Sequence, residues 1–180
     1  MKQTARGFPE LAVLFCLIVS GTCLGQSKVA DVQTTEKVRE RVNTIIWETI
    51  KRGEFTTADG VSGITRMPPS SEDVEEIKSY GDQAVSPLEE HFSSENAFEY
   101  EMAMRLMGAL GGERIIKPLA NVALYDPSAR KREYALRWIT QGPWDHAAKV
   151  IRQAAEHDPD ANVREVAKEL LSGHGPENNY

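Results

Sequence analysis

The chain has 180 residues, 41% of them hydrophobic and 27% charged, with a formal net charge of −6. An acidic balance argues against nucleic acid and anionic membrane surfaces as general partners, because both are bound by a basic face. The only cysteines, Cys16 and Cys23, stand close to the N-terminus, so disulfide frameworks, cysteine-based zinc sites and cysteine nucleophiles are excluded for everything after them.

Lys2 and Arg6 precede an almost unbroken apolar run from Leu11 to Ser20, and the small residues Gly21, Thr22 and Gly25 follow. This layout predicts a secretory signal peptide over residues 1–25, cleaved after Gly25, and an exported mature chain in a periplasm or outside the cell. The run is too short to span a bilayer comfortably, so no stable membrane span is expected after its removal. A lipid-modified Cys23 is a minor alternative, since Ser20-Gly21-Thr22 lacks an aliphatic residue three positions ahead. The remainder, roughly 155 residues, is long enough for one apolar core.

Residues 26–70 read as an N-terminal helix followed by a long loop. From Thr34 to Arg52, Val38, Val42, Ile45, Ile46 and Thr49 fall on one helical face and Gly53 ends the pattern. Such a helix is expected to cap the units that follow. Trp47 lies opposite the stripe, either under the following loop or exposed as an aromatic anchor. The stretch GEFTTADGVSGITRMPPSSE is long for a connection. Within it, Thr56 to Ile64 could form a short hairpin or a partner-binding strand, in a loop expected to be ordered near Trp47.

Residues 71–173 repeat themselves. Asp126-Pro127 and Asp158-Pro159 are 32 residues apart, as are Arg132 and Arg164. Ala103, Ala135 and Ala167 follow the same step. Each alanine is followed at three and four residues by larger apolar side chains: Leu106 and Met107, Trp138 and Ile139, Leu170 and Leu171. That spacing makes a continuous helical stripe. A second helical family alternates with the first, over Asp82–Phe92, Glu113–Leu124 and Asp145–His157, set off by Gly81, Gly111-Gly112 and Gly142-Pro143. Two helices this short cannot bury their own stripes, so stacking against neighbours must supply the core. Residues 174–180 are expected to fray.

The segments G-D-Q-A-V-x-P-L, L-G-G-x-x-I-x-x-L and D-x-D-x-x-V-R-x-x-A resemble HEAT-like repeats, in the short form named after the phycobilisome bilin lyases. The resemblance covers Glu72 to Gly173 with the last unit incomplete, and its step is shorter than the 40–47 residues usual for HEAT. It implies an all-α, right-handed α-α superhelix, here with an N-terminal capping helix, that binds proteins on its concave face. It also implies that Asp126, Arg132, Asp158 and Arg164 bond between neighbouring units as a ladder. Lyase activity does not follow from the repeats.

No H-E-x-x-H, G-x-S-x-G or phosphate-loop pattern is present among the residues. His157-Asp158-Pro159-Asp160 is better read as a helix end than as a metal site. Glu89, Glu90, Glu95, Glu99 and Glu101 read as solvated helix faces. No catalytic, cofactor-binding or metal-ligating residue is therefore expected. Aligning the second helices gives three rows that would line the concave face: Gln83, Arg114 and His146; Ser86, Lys117 and Lys149; Glu90, Asn121 and Gln153. The surface grades from acidic, at Glu89 and Glu90, to basic, at Lys149 and Arg152, and suits a protein or peptide partner docking in one polarity. Trp47 and Trp144 are candidate anchors, although core packing also suits Trp144. The alternatives are an accessory or lyase-like protein, an inhibitory or immunity-type protein, and a stack that self-associates at its uncovered end near Leu170 and Leu171.

Overall fold

A computed structural model describes residues 35–60 and 62–173. The expected signal peptide, its cleavage point, Cys23 and the C-terminal tail all lie outside the described residues. The chain divides into two compact units, Met1–Lys37 and Val38–Tyr180, and only the second is described over most of its length.

Helix α1 covers residues 35–52. Its apolar residues fall three and four apart, and Val38, Val42, Ile45, Ile46, Thr49 and Ile50 are all buried. The chain then turns at Gly53 into a small antiparallel hairpin, β1 (Glu54–Thr56) and β2 (Ser62–Ile64), with Glu54 opposite Ile64. The hairpin closes back on the helix end: the Thr65 N–H donates to the Gly53 carbonyl at 2.8 Å. A Cβ on Gly53 would meet the Thr65 carbonyl oxygen at 2.1 Å, so only glycine permits this approach.

Seven further helices form the body: α2 (Ser71–Tyr80), α4 (Ala97–Leu110), α6 (Ala129–Ile139) and α8 (Ala161–Gly173) alternate with α3 (Val85–Glu90), α5 (Ile116–Tyr125) and α7 (Trp144–His157). Apart from the hairpin and a few 3₁₀ turns, the regular structure of the described residues is α-helical. Local chemistry sets the helix ends. Ser70 and Asp73 form a reciprocal capping box at the start of α2. Gly81 and Gly111, with φ of 55° and 62°, take the left-handed conformations that end α2 and α4. Pro87 and Pro118 occupy the first turns of α3 and α5, where a missing N–H costs no helical bond.

The helices pack with partners one or two places along the chain. α4 lies against α2, α6 against α4, and α8 against α6, while α7 lies against α5 in a second layer. α5 packs on α6 and α7 on α8 to join the layers. Ala103, Ala135 and Ala167 are each fully buried, as are Leu106, Met107, Leu136, Ile139 and Ile151. Full burial of a side chain such as Leu or Ile stabilises by roughly 1.5–3 kcal/mol each. Leu170 and Leu171 are only partly buried, since α8 is the last described helix.

Two expectations are corrected. The loop does not fold over Trp47, whose exposure is 43%. Instead Arg66, just beyond the hairpin, reaches Glu101 on α4 at 2.7 Å. Glu101 itself is not on a solvated face: it is 4% exposed, because two arginines compensate its charge.

Candidate functional site

The nine residues expected to line one face are Gln83, Ser86, Glu90, Arg114, Lys117, Asn121, His146, Lys149 and Gln153, and all nine are exposed. They lie on α3, α5, α7 and the 3₁₀ turns that lead into α3 and α5. The register of these segments follows from their buried sides. Ala84 and Leu88, Ile115 and Leu119, and Ala147 and Ile151 are fully buried, which leaves the residues one or two positions away from them facing water.

The face is tied together across neighbouring segments. Arg114 pairs with Asp82 at 2.7 Å, and His146 Nδ1 lies 2.5 Å from Glu113 Oε1. Asp82 and Glu113 stand in equivalent places, so an acid of one segment meets the base of the next. Glu90 accepts both of its ion-pair hydrogen bonds from Arg39 Nε of α1, at 3.0 and 3.1 Å. Lys117 and Lys149 differ from these: neither has a carboxylate within ion-pair distance among the described residues. Trp144, the first residue of α7, is half-buried against the core, whereas Trp47 is exposed on α1.

The turns before α4, α6 and α8 share one hydrogen bond. Ser94 Oγ accepts from the Asn96 N–H at 3.1 Å, Asp126 Oδ1 from Ser128 at 2.8 Å, and Asp158 Oδ1 from Asp160 at 2.8 Å. Arg132 bonds the carbonyls of Asp126 and Pro127 through Nη1, and Arg164 does the same with Asp158 and Pro159. Arg132 Nε and Nη2 also donate to Asp158 Oδ2 and Oδ1, both at 2.8 Å. This fork joins α6 to the turn before α8, and both partners are under 10% exposed. Burial pushes the Asp158 carboxyl up, but the Arg132 hydrogen bonds, the Asp160 N–H and the charges of Arg132 and Arg164 outweigh it and hold it below its ordinary value. The carboxylate is thus spent on joining α6 to the turn before α8.

Two polar clusters escaped the sequence reading. His91 lies between Glu99 on α4 and Asn43 on α1, with both ring nitrogens 2.7 Å from an oxygen. Glu101 accepts from Arg66 and from Arg130 Nη2 of α6 at 2.8 Å. Apart from His91–Glu99, these contacts lie 29 to 48 residues apart in the chain and leave no local spacing to read. Among the described residues, no group of three histidine, aspartate or glutamate side chains is placed to hold a metal. His157 is exposed at the end of α7, away from any such group.

No family model, curated protein or solved structure matches the chain.

Proposed function

We propose that this is an exported HEAT-like repeat protein of the short, bilin-lyase type. In this reading α2 to α8 form a short right-handed α-α superhelix over residues 71–173, and residues 26–70 supply the capping helix and loop. It is a non-catalytic module, and it holds a protein or peptide partner on the concave surface lined by α3, α5 and α7. The turn hydrogen bonds that recur at Ser94, Asp126 and Asp158, and the equal burial of Ala103, Ala135 and Ala167, support the repeat.

One observation carries the binding face. Lys117 and Lys149 occupy equivalent, exposed places 32 residues apart, and among the described residues neither has a carboxylate partner, while their neighbours Arg114 and His146 are paired. Structural ion pairs fix the surface; the unpaired ammonium groups are left to meet a partner. Trp47, exposed on α1, and Trp144, at the start of α7, are candidate anchors.

The test uses the wild-type chain and the double variant Lys117→Glu, Lys149→Glu as baits in an envelope extract. A partner retained by the wild type and lost by a folded double variant supports the assignment. The same partner held equally by both places binding elsewhere. Small-angle scattering of the purified chain checks the superhelix separately, since a bundle would give a shorter maximum dimension than a curved stack.

A further inference from the structure

A cluster of positive charge in this acidic chain lies away from the proposed binding face. Two arginines from different segments, Arg66 after the hairpin and Arg130 on α6, clasp one buried carboxylate, Glu101, and a third, Arg105 on α4, lines a cavity with Arg66 and Glu101. Arg66 and Arg130 both donate to Glu101, and they share its Oε1, at 3.3 and 2.8 Å. Arg105 follows Glu101 by one helical turn and makes no ion pair among the described residues; its guanidinium instead lies over Trp138, 5.5 Å from the ring centroid. Arg66 lies over Phe98 in the same way, at 5.6 Å.

Charge and donors are both in surplus. Glu101 neutralises one of three cations, which leaves an excess of two positive charges. Each guanidinium has five N–H donors, and Glu101 takes two from Arg66 and two from Arg130. The side chains of Arg66 and Arg130 are 53% and 54% exposed, so the unspent donors are open to solvent. Like charges held side by side repel, and an anion placed among them relieves that repulsion. Behind them is a cavity of about 20 Å³, lined by Arg66, Arg105, Glu101, Phe98 and Tyr134 among others. That volume admits a single water, so a ligand would seat its charged group at the mouth.

We propose that this mouth is a binding site for a phosphate monoester. A dianionic oxyanion matches the two uncompensated charges, and its oxygens suit the forked donors of arginine. Met67, which is exposed, and Tyr134 line the same cavity and give an aryl ester an apolar surface to meet. The buried Glu101 is a positioning residue: it holds Arg66 and Arg130 together and does not touch the ligand.

Titration of the ¹⁵N-labelled chain with phenyl phosphate, inorganic phosphate and benzoate tests this directly. Phenyl phosphate is expected to give saturable shifts at the Arg105 and Arg66 Nε–H signals and around Tyr134, at millimolar concentration or below. Inorganic phosphate should bind the same place more weakly, and benzoate more weakly than phenyl phosphate. Arg105→Gln, which removes no bond to Glu101, should weaken phenyl phosphate binding about tenfold or more, while Lys168→Gln on α8 leaves it unchanged. The proposal is overturned if shifts do not saturate, if they map elsewhere, or if benzoate binds as well as phenyl phosphate. Wild-type shift mapping decides the question even where a variant misfolds.

Discussion

Arg132 and Arg164 read the same backbone, but only Arg132 also grips a carboxylate. Both donate to two carbonyls of the turn before their own helix. Arg132 then forks onto Asp158, whereas Arg164 has no ion pair among the described residues. Removing one member of a buried pair strands the other without water or counter-charge. Arg132→Ala should therefore cost about 3–5 kcal/mol in urea unfolding, and Arg164→Ala about 1 kcal/mol. Equal losses would mean that the backbone bonds, not the fork, hold the joint. The Asp-Pro and Arg positions stood out in the sequence because each recurs 32 residues on, and the resemblance to HEAT-like repeats implied that they bond between units. Glu101 was not readable. Its partners Arg66 and Arg130 lie 35 and 29 residues away, so its neighbours in sequence, all glutamate-rich, suggested solvent.

Among the elements, α4 and α6 approach tightly at Gly108. A Cβ there would lie 2.6 Å from Trp138 Cε3, inside any tolerated contact, and the Arg105 guanidinium also lies 5.5 Å from the Trp138 ring centroid. Gly108→Ala should gain up to about 1 kcal/mol of helix propensity, yet lose roughly 1–3 kcal/mol to overpacking. A lowered melting temperature is the expected result; a raised one would show that Trp138 swings aside freely. Helix positions were legible because stripes at three- and four-residue spacing report burial directly, as in Ala103, Leu106 and Met107. The approach of one helix to another is set by which residue is smallest at the crossing. A glycine inside a helix does not announce that from sequence, and neither did the direction in which the loop after Gly53 would fold.

Taken as a whole, the unit from Val38 onwards is pinned by carboxylates that folding makes more acidic. Asp73 is held below its ordinary value, with burial opposed by bonds to Ser70 and Arg52. Glu76 is lowered by Arg41 and Tyr80, and Asp158 by Arg132. A carboxyl whose folded pKa is depressed stabilises fully above its unfolded value, near 4, and that stability fades as pH falls through the folded value. Urea midpoints should thus stay level from neutral pH down to about pH 5, then drop, and Asp158→Asn should flatten the drop; an unchanged acid limb in that variant would remove Asp158 from the account. The overall helical class followed from the stripes, whereas the face offered to partners depended on which exposed charges pair internally, and Arg114 with Asp82 could be known only from coordinates. The position of α8 as the last described helix has a further consequence. It leans chiefly on α6 and α7, and its Leu170 and Leu171 are half covered, while α4 is enclosed by neighbours on both sides. Local opening should therefore begin at that end, with amide hydrogens of α8 exchanging into heavy water well before those of α4.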